Sequence, residues 1–345
     1  MSGVHATFGL APAMRAGGVL ADGGYEVHRD FVDFIVDGRP LLLQLSDLDA
    51  VSPLASDVPP AIFAAQVRSL LLETDAPLPG GRYVIYGCPE CEDLACGAVT
   101  AVIERAGDGG DDYVWRDFAW QTEEQADLEL NGYHGIGPFL FHGPEYRAAL
   151  GALIDGAAAP AAPRRRVLLI GARVGLLAKL AAALRTIGIG ADIIDHATGA
   201  SAEELRSYGA VAYGSTVGER ERAAIRRAFD RAGADVAHVA GLAPIVPLLV
   251  AQIEHALDRS PVAQRRLTRL VAADGEAGIE VSSPCRVRVT AYRLDRLSRA
   301  HAQEVFDGVL EPGRHRIALD AKAVKGQSFV VARTSGSVLV EAMAR

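Results

Sequence analysis

The sequence predicts a multi-domain α/β chain: an N-terminal α+β domain, a central parallel sheet flanked by helices, and a small C-terminal antiparallel β-sandwich. Three observations carry that expectation. At 345 residues the chain exceeds what one ordinary hydrophobic core serves. Between residues 167 and 257 short buried-type apolar runs alternate with helical spacings, as in a parallel sheet with helices on its faces. From about Ser260 the helical spacing gives way to short strands punctuated by turns. Half the residues are apolar and 23% are charged, a globular profile rather than a disordered or fibrous one.

In the first 155 residues, Phe31 to Val36 and Leu41 to Leu45 are apolar runs joined through Asp37-Gly38, a hairpin signal. Ala61 to Glu73 has helical spacing, with Ile62, Phe63, Val67, Leu70 and Leu71 on one side. Arg82 to Tyr86, Ala98 to Ile103 and Tyr113 to Trp120 follow as strands, and Trp115, Phe118 and Trp120 on the last read as core rather than a ligand platform. Pro144 opens a helix that runs to Ile154. Gly156-Ala-Ala-Ala-Pro-Ala-Ala-Pro163 then has little to bury and reads as a semi-rigid connector. The expected division is an acidic α+β domain over 1–155, a linker over 156–166, an α/β domain over 167–259 and a sandwich over 260–345.

Beyond the linker, strands are expected at Val167 to Ile170, Ala191 to Ile194, Ala210 to Tyr213 and Val236 to Val239. Helices are expected at Leu176 to Leu184, Ala202 to Ser207, Glu219 to Ala232 and Ile245 to Leu257. In the tail, Gly278 to Ser282, Cys285 to Leu294, His315 to Leu319, Ser328 to Ala332 and Ser337 to Glu341 read as strands, and Arg286, Val287, Arg288 and Val289 alternate as on a half-exposed strand. The tail's pattern loosely resembles the immunoglobulin-like accessory domains that end bacterial proteins.

Charge is unevenly placed. Residues 1–155 hold 24 acidic and 8 basic residues, a net of −16, and the remainder a net of +8. So acidic a front end argues against nucleic acid as the main partner. It either solvates one surface or meets basic surface, in the same chain or in a homo-oligomer. The start of the chain lacks the basic block and apolar run of a signal peptide, and the longest apolar stretches are broken by Arg173 and Lys179 or by Pro244 and Pro247. The expectation is a cytoplasmic protein without a membrane partner.

The segment Val167-Leu-Leu-Ile-Gly171-Ala-Arg-Val-Gly175-Leu-Leu is a strand, a glycine turn and a helix start. Glycine there lets the backbone approach a pyrophosphate, while the helix N-terminus offers free N–H groups. The spacing resembles the first two glycines of the TGxxxGxG loop of short-chain dehydrogenases/reductases, over roughly Val167 to Leu257. That resemblance implies a Rossmann-like unit binding NAD or NADP, with Gly171 and Gly175 in the turn, Asp195 near the adenosine ribose and Arg173 favouring a phosphorylated ribose. Two departures accompany it. Leu177 stands where the family has its third glycine, and the catalytic Tyr with a Lys four residues later is absent. The only lysines are Lys179, Lys322 and Lys325, preceded at that spacing by Gly175, Ala318 and Ala321; Tyr292 with Arg296 cannot act as the same proton shuttle. Two function classes therefore stay open: a nucleotide- or dinucleotide-binding protein, oxidoreductase-like in ancestry, and a non-catalytic scaffold on a degenerate Rossmann unit.

Three of the four cysteines cluster in Tyr86-Gly-Cys88-Pro-Glu-Cys91-Glu-Asp-Leu-Ala-Cys96-Gly97. The Cys-Pro-x-Cys turn resembles the knuckle of zinc ribbons and rubredoxins, which aims backbone N–H groups at thiolate sulfurs. The resemblance implies zinc on Cys88, Cys91 and Cys96; a closed site needs a fourth ligand, for which the candidates are His134 or His142, Asp93 from the loop, or Cys285 from the tail. A purely structural use of small residues and a redox use of the thiols remain as alternatives. Glu90, Glu92 and Asp93 disfavour a reactive thiolate and attract a cation, which weighs toward metal. No Ser-His-Asp set, Walker A loop or His-Glu-x-x-His helix is present.

Overall fold

The computed structural model describes residues 4–20, 23–45, 48–91, 93–107, 110–155, 166–194, 201–241, 243–295, 297–320 and 326–344. The 156–165 connector, Glu92, Asp195, Arg296, Lys322 and Lys325 lie outside the described residues. The chain forms two compact units: Met1–Arg15 with Arg29–Ala162 and Ser260–Gln264, and Ala16–His28 with Pro163–Arg259 and Arg265–Arg345.

The first unit is built on two antiparallel sheets. In one, β1 (Phe8–Arg15) pairs along its length with β2 (Arg29–Val36). In the other, β3 (Arg82–Gly87), β4 (Ala98–Arg105), β5 (Tyr113–Gln121) and β6 (Phe139–Phe141) lie in sequence order. Helices α1 (Pro60–Leu70) and α2 (Gly143–Ile154) pack on a core that takes in Phe34, Tyr86, Trp115, Phe118 and Tyr146. Polar atoms inside it are paired. The Trp115 indole donates to the Tyr146 hydroxyl at 3.1 Å, and that hydroxyl donates to the Leu70 carbonyl at 2.9 Å. Tyr86 donates to Asp33 at 2.5 Å, and burial with the Asp33 charge pushes its phenol pKa well above the ordinary value.

One expected strand is corrected. Asp37 and Gly38 form the tight turn, both at positive φ (51° and 73°). The returning strand, however, is only Arg39–Pro40, and Leu41–Gln44 coils into a helical turn. Proline cannot continue the ladder as a donor, and the turn buries Leu41 and Leu45 completely.

In the second unit a four-stranded parallel sheet is formed by β7 (Arg166–Ile170), β8 (Gly190–Ile194), β9 (Ala210–Tyr213) and β10 (Ala237–Ala240). The connecting helices are α3 (Val174–Thr186), α4 (Ala202–Arg206) and α5 (Glu219–Arg231), and α6 (Val246–Leu257) follows the last strand. The strand order is β8-β7-β9-β10, all parallel. The third strand thus lies beside the first, on the side away from the second. This is the flavodoxin-like order, not the 3-2-1 order of the dinucleotide fold that the short-chain dehydrogenase resemblance implies. Separate apolar clusters fill the two faces of the sheet, one around Leu180, Leu184 and Ile253, the other around Tyr208, Ile225 and Phe229.

The remainder of this unit is the expected β-sandwich. One sheet holds β11 (Leu267–Ala273), β12 (Glu276–Val281) and β15 (Gly313–Ala318); the other holds β13 (Cys285–Leu294), β14 (Ala300–Leu310), β16 (Gln327–Thr334) and β17 (Ser337–Ala342). Every pairing is antiparallel, and both sheets contribute to one core through residues such as Ile279, Val281, Val287 and Val330. The 16–28 segment is tied into the unit by buried polar groups. His28 Nδ1 lies 2.9 Å from Glu254 of α6, with both side chains enclosed. Arg333 of β16 donates to the Gly17 carbonyl, and burial lowers the pKa of its guanidinium.

Candidate metal centre and clefts

The cysteine loop connects β3 to β4, and each of its ends is pinned. Gly87 and Val51 exchange backbone hydrogen bonds of 2.9 and 3.0 Å just before Cys88. After Cys96, Gly97 holds φ +99°, and a Cβ there would stand 2.0 Å from the Trp120 ring, so only glycine fits. Between these ends the Asp93 carboxylate accepts from Ala95 N at 2.9 Å and the Asp93 carbonyl from Cys96 N at 3.1 Å, winding Leu94–Cys96 into a single tight turn. Buried Arg15 clamps the loop from β1: it grips Asp49 through two nitrogens at 3.0 and 2.8 Å and reaches Glu90 at 2.8 Å. Glu90 is therefore spent on the clamp.

These restraints bring Cys88, Cys91 and Cys96 together, with their sulfurs all within 4.8 Å of one another. Cys91 and Cys96 are 3.1 Å apart, both exposed, and all three thiols are free of disulfides. The contact between the two thiols lowers the Cys91 pKa and pushes Cys96 up to about 11. Three convergent thiols are a soft ligand set, which suits zinc in tetrahedral geometry with one further ligand. His134 is exposed in the turn between Gly132 and β6 and is not one of this converging group. His142 directly precedes α2, and Cys285 is fully buried in the sandwich core. A cleft borders the loop, lined by Cys88, Asp93 and Leu94 together with residues of α1 and β3.

The glycine turn lies at the carboxyl ends of β7 and β9. Gly171 and Gly214 meet backbone to backbone: a Cβ on Gly171 would lie 3.2 Å from the Gly214 Cα. Helix α3 starts at Val174, and the Arg173 side chain makes no capping hydrogen bond to its first N–H groups. A cleft of about 680 Å³, part of it open to solvent, takes in Gly171, Arg173, Tyr213, Ser215 and Thr216. Leu177 is part of its wall and of the core, and Gly175 is exposed without near neighbours. Ala172 N donates to Thr216 Oγ1 at 3.2 Å. The Tyr213 hydroxyl meets His238 Nδ1 at 2.8 Å; burial pushes the Tyr213 phenol up to about 12 and lowers the His238 pKa.

The polar residues of α6 are structural. Besides the His28–Glu254 pair, His255 Nδ1 contacts the Val338 carbonyl at 2.8 Å, and Gln252 donates to the Ala240 carbonyl at 3.3 Å. Sequence reasoning found the thiols from their spacing but missed Arg15, whose role depends on partners 34 and 75 residues away. No helix among the described residues is long and apolar enough to cross a membrane. No protein-family model matches the chain, and neither a curated protein nor a solved structure matches it.

Proposed function

We propose that this chain is a zinc-binding protein, with Cys88, Cys91 and Cys96 as ligands and a fourth position filled from solution. The observation that carries the reading is the convergence of three free thiols on a loop fixed by Arg15, Asp93 and Gly97. Exposed cysteines used only as small residues gain nothing by converging, and free Cys is otherwise among the most buried residue types. Elemental analysis of protein purified with zinc tests the reading. About one zinc per chain is expected, from the single site and the ligand chemistry, with loss on Cys91→Ser. Metal-free wild-type protein, or zinc unchanged in Cys91→Ser, overturns it.

A second reading concerns the parallel sheet. The crevice between β7 and β9 is the topological switch point, where open α/β sheets bind ligands, and the uncapped α3 terminus favours an anion. We read this cleft as a nucleotide site, with phosphate against Gly171 and α3 and with Arg173 beside it. Titration with NAD, NADP and mononucleotides, in wild type and Gly214→Val, tests it. Binding that Gly214→Val abolishes supports the site; no binding to folded protein favours a scaffold role for this layer.

A further inference from the structure

The cleft beside the cysteine loop carries a chemistry of its own. It encloses about 830 Å³, part of it open to solvent, between α1, β3 and the loop. Apolar side chains dominate its wall, among them Val51, Val58, Leu70, Val84 and Leu94, and among the described residues no lysine, arginine or histidine lines it. Among the described residues its single charged lining residue, Asp93, already accepts from Ala95 N. Tyr83 also lines the cleft and carries the phenol hydroxyl of its wall. Cys88 belongs both to this wall and to the sulfur cluster.

Three thiolates on a divalent cation leave one net negative charge, and Asp93 adds another nearby. An anionic fourth ligand would meet repulsion with no cationic side chain in the cleft to offset it. A neutral heteroaromatic nitrogen meets none and is a familiar zinc donor. We infer that the cleft takes an uncharged, chiefly apolar small molecule whose heteroaromatic nitrogen fills the fourth metal position, its body lying against α1 and β3 and its polar edge on Tyr83. This rests on the zinc reading and names the class of ligand that completes the site.

The test uses the full chain loaded with cobalt(II), whose thiolate charge-transfer band reports the three sulfurs and whose visible bands report the fourth ligand. The probes are 4-phenylimidazole, imidazole and benzoate. Because burial of the phenyl ring adds apolar contact, 4-phenylimidazole should shift the visible bands at a concentration at least roughly tenfold below imidazole, with benzoate inert. Val84→Trp and, separately, Gln66→Trp fill the cleft from β3 and from α1. Each should cut the phenyl advantage to below about threefold while leaving imidazole binding and the charge-transfer band intact. Equal potency of the two imidazoles, binding of benzoate as tight as that of 4-phenylimidazole, or an undiminished advantage in both tryptophan variants overturns the inference alone. Absence of the charge-transfer band overturns the zinc reading and the inference with it.

Discussion

Replacing Gly97 by alanine perturbs the cysteine loop at the point where fold and site meet. Two costs add. Gly97 holds φ 99° and ψ 143°, a region open essentially to glycine alone, and forcing another residue there costs about 1–3 kcal/mol. The new methyl would also stand 2.0 Å from Cζ2 and 2.4 Å from Cε2 of Trp120. Trp120 is only half-buried and can yield, which puts the overpacking cost near the low end of its range, about 1 kcal/mol. The expected loss is about 2–4 kcal/mol, with Cys96 displaced and zinc surrendered more readily to a chelator. Both tryptophans of the chain, Trp115 and Trp120, lie on β5 in the first unit, so fluorescence-detected urea unfolding reports that unit alone. Gly135→Ala is the control, because nothing lies within 4 Å of the added methyl; it should stay within about 0.5 kcal/mol of wild type. A Gly97→Ala protein as stable as that control would refute the argument that the loop's conformation is fixed by this glycine.

Tyr146→Phe removes the hydroxyl that joins the Trp115 indole to the Leu70 carbonyl; two buried groups lose their partner, and thermal unfolding should show a loss of about 1–3 kcal/mol. His238 is held below the ordinary histidine value of 6.5, chiefly by burial. Its neutral form therefore contributes stability that is present above the unfolded-state pKa and lost as pH falls through the lower folded value. An NMR titration should place its midpoint below 6.5, and a midpoint at or above that value contradicts the burial argument. If copies of the chain associate through acidic and basic surfaces, the mass from light scattering should fall as salt is raised; a mass independent of salt removes that assembly.

The parts legible in the sequence are those whose signal is local. The alternation from Val167 to Leu257 gives the parallel strands nearly residue for residue, and Cys285 to Val289 alternates in burial as expected. Phe8–Arg15 is a strand that composition hides: its Gly9, Ala11, Pro12 and Ala13 read as loop, yet it lies at a sheet edge, where proline is tolerated. Ala300–Leu310 is likewise an edge strand with mostly exposed residues, so it lacks an apolar alternation to betray it. Strand order is a tertiary property, and the glycine turn alone does not separate the flavodoxin-like order from the dinucleotide one. The cysteine spacing points to the convergence of the three sulfurs, whereas the Arg15 clamp and the cleft lined by Tyr83 arise from residues far apart in the chain.

X-ray absorption at the zinc edge of the purified chain tests the central claim most directly. The account predicts three sulfur neighbours at about 2.3 Å and one lighter neighbour, nitrogen or oxygen, at about 2.0–2.2 Å, with Cys88→Ser, Cys91→Ser and Cys96→Ser each removing a sulfur or the metal. A shell without sulfur, or one unchanged in all three variants, would contradict it.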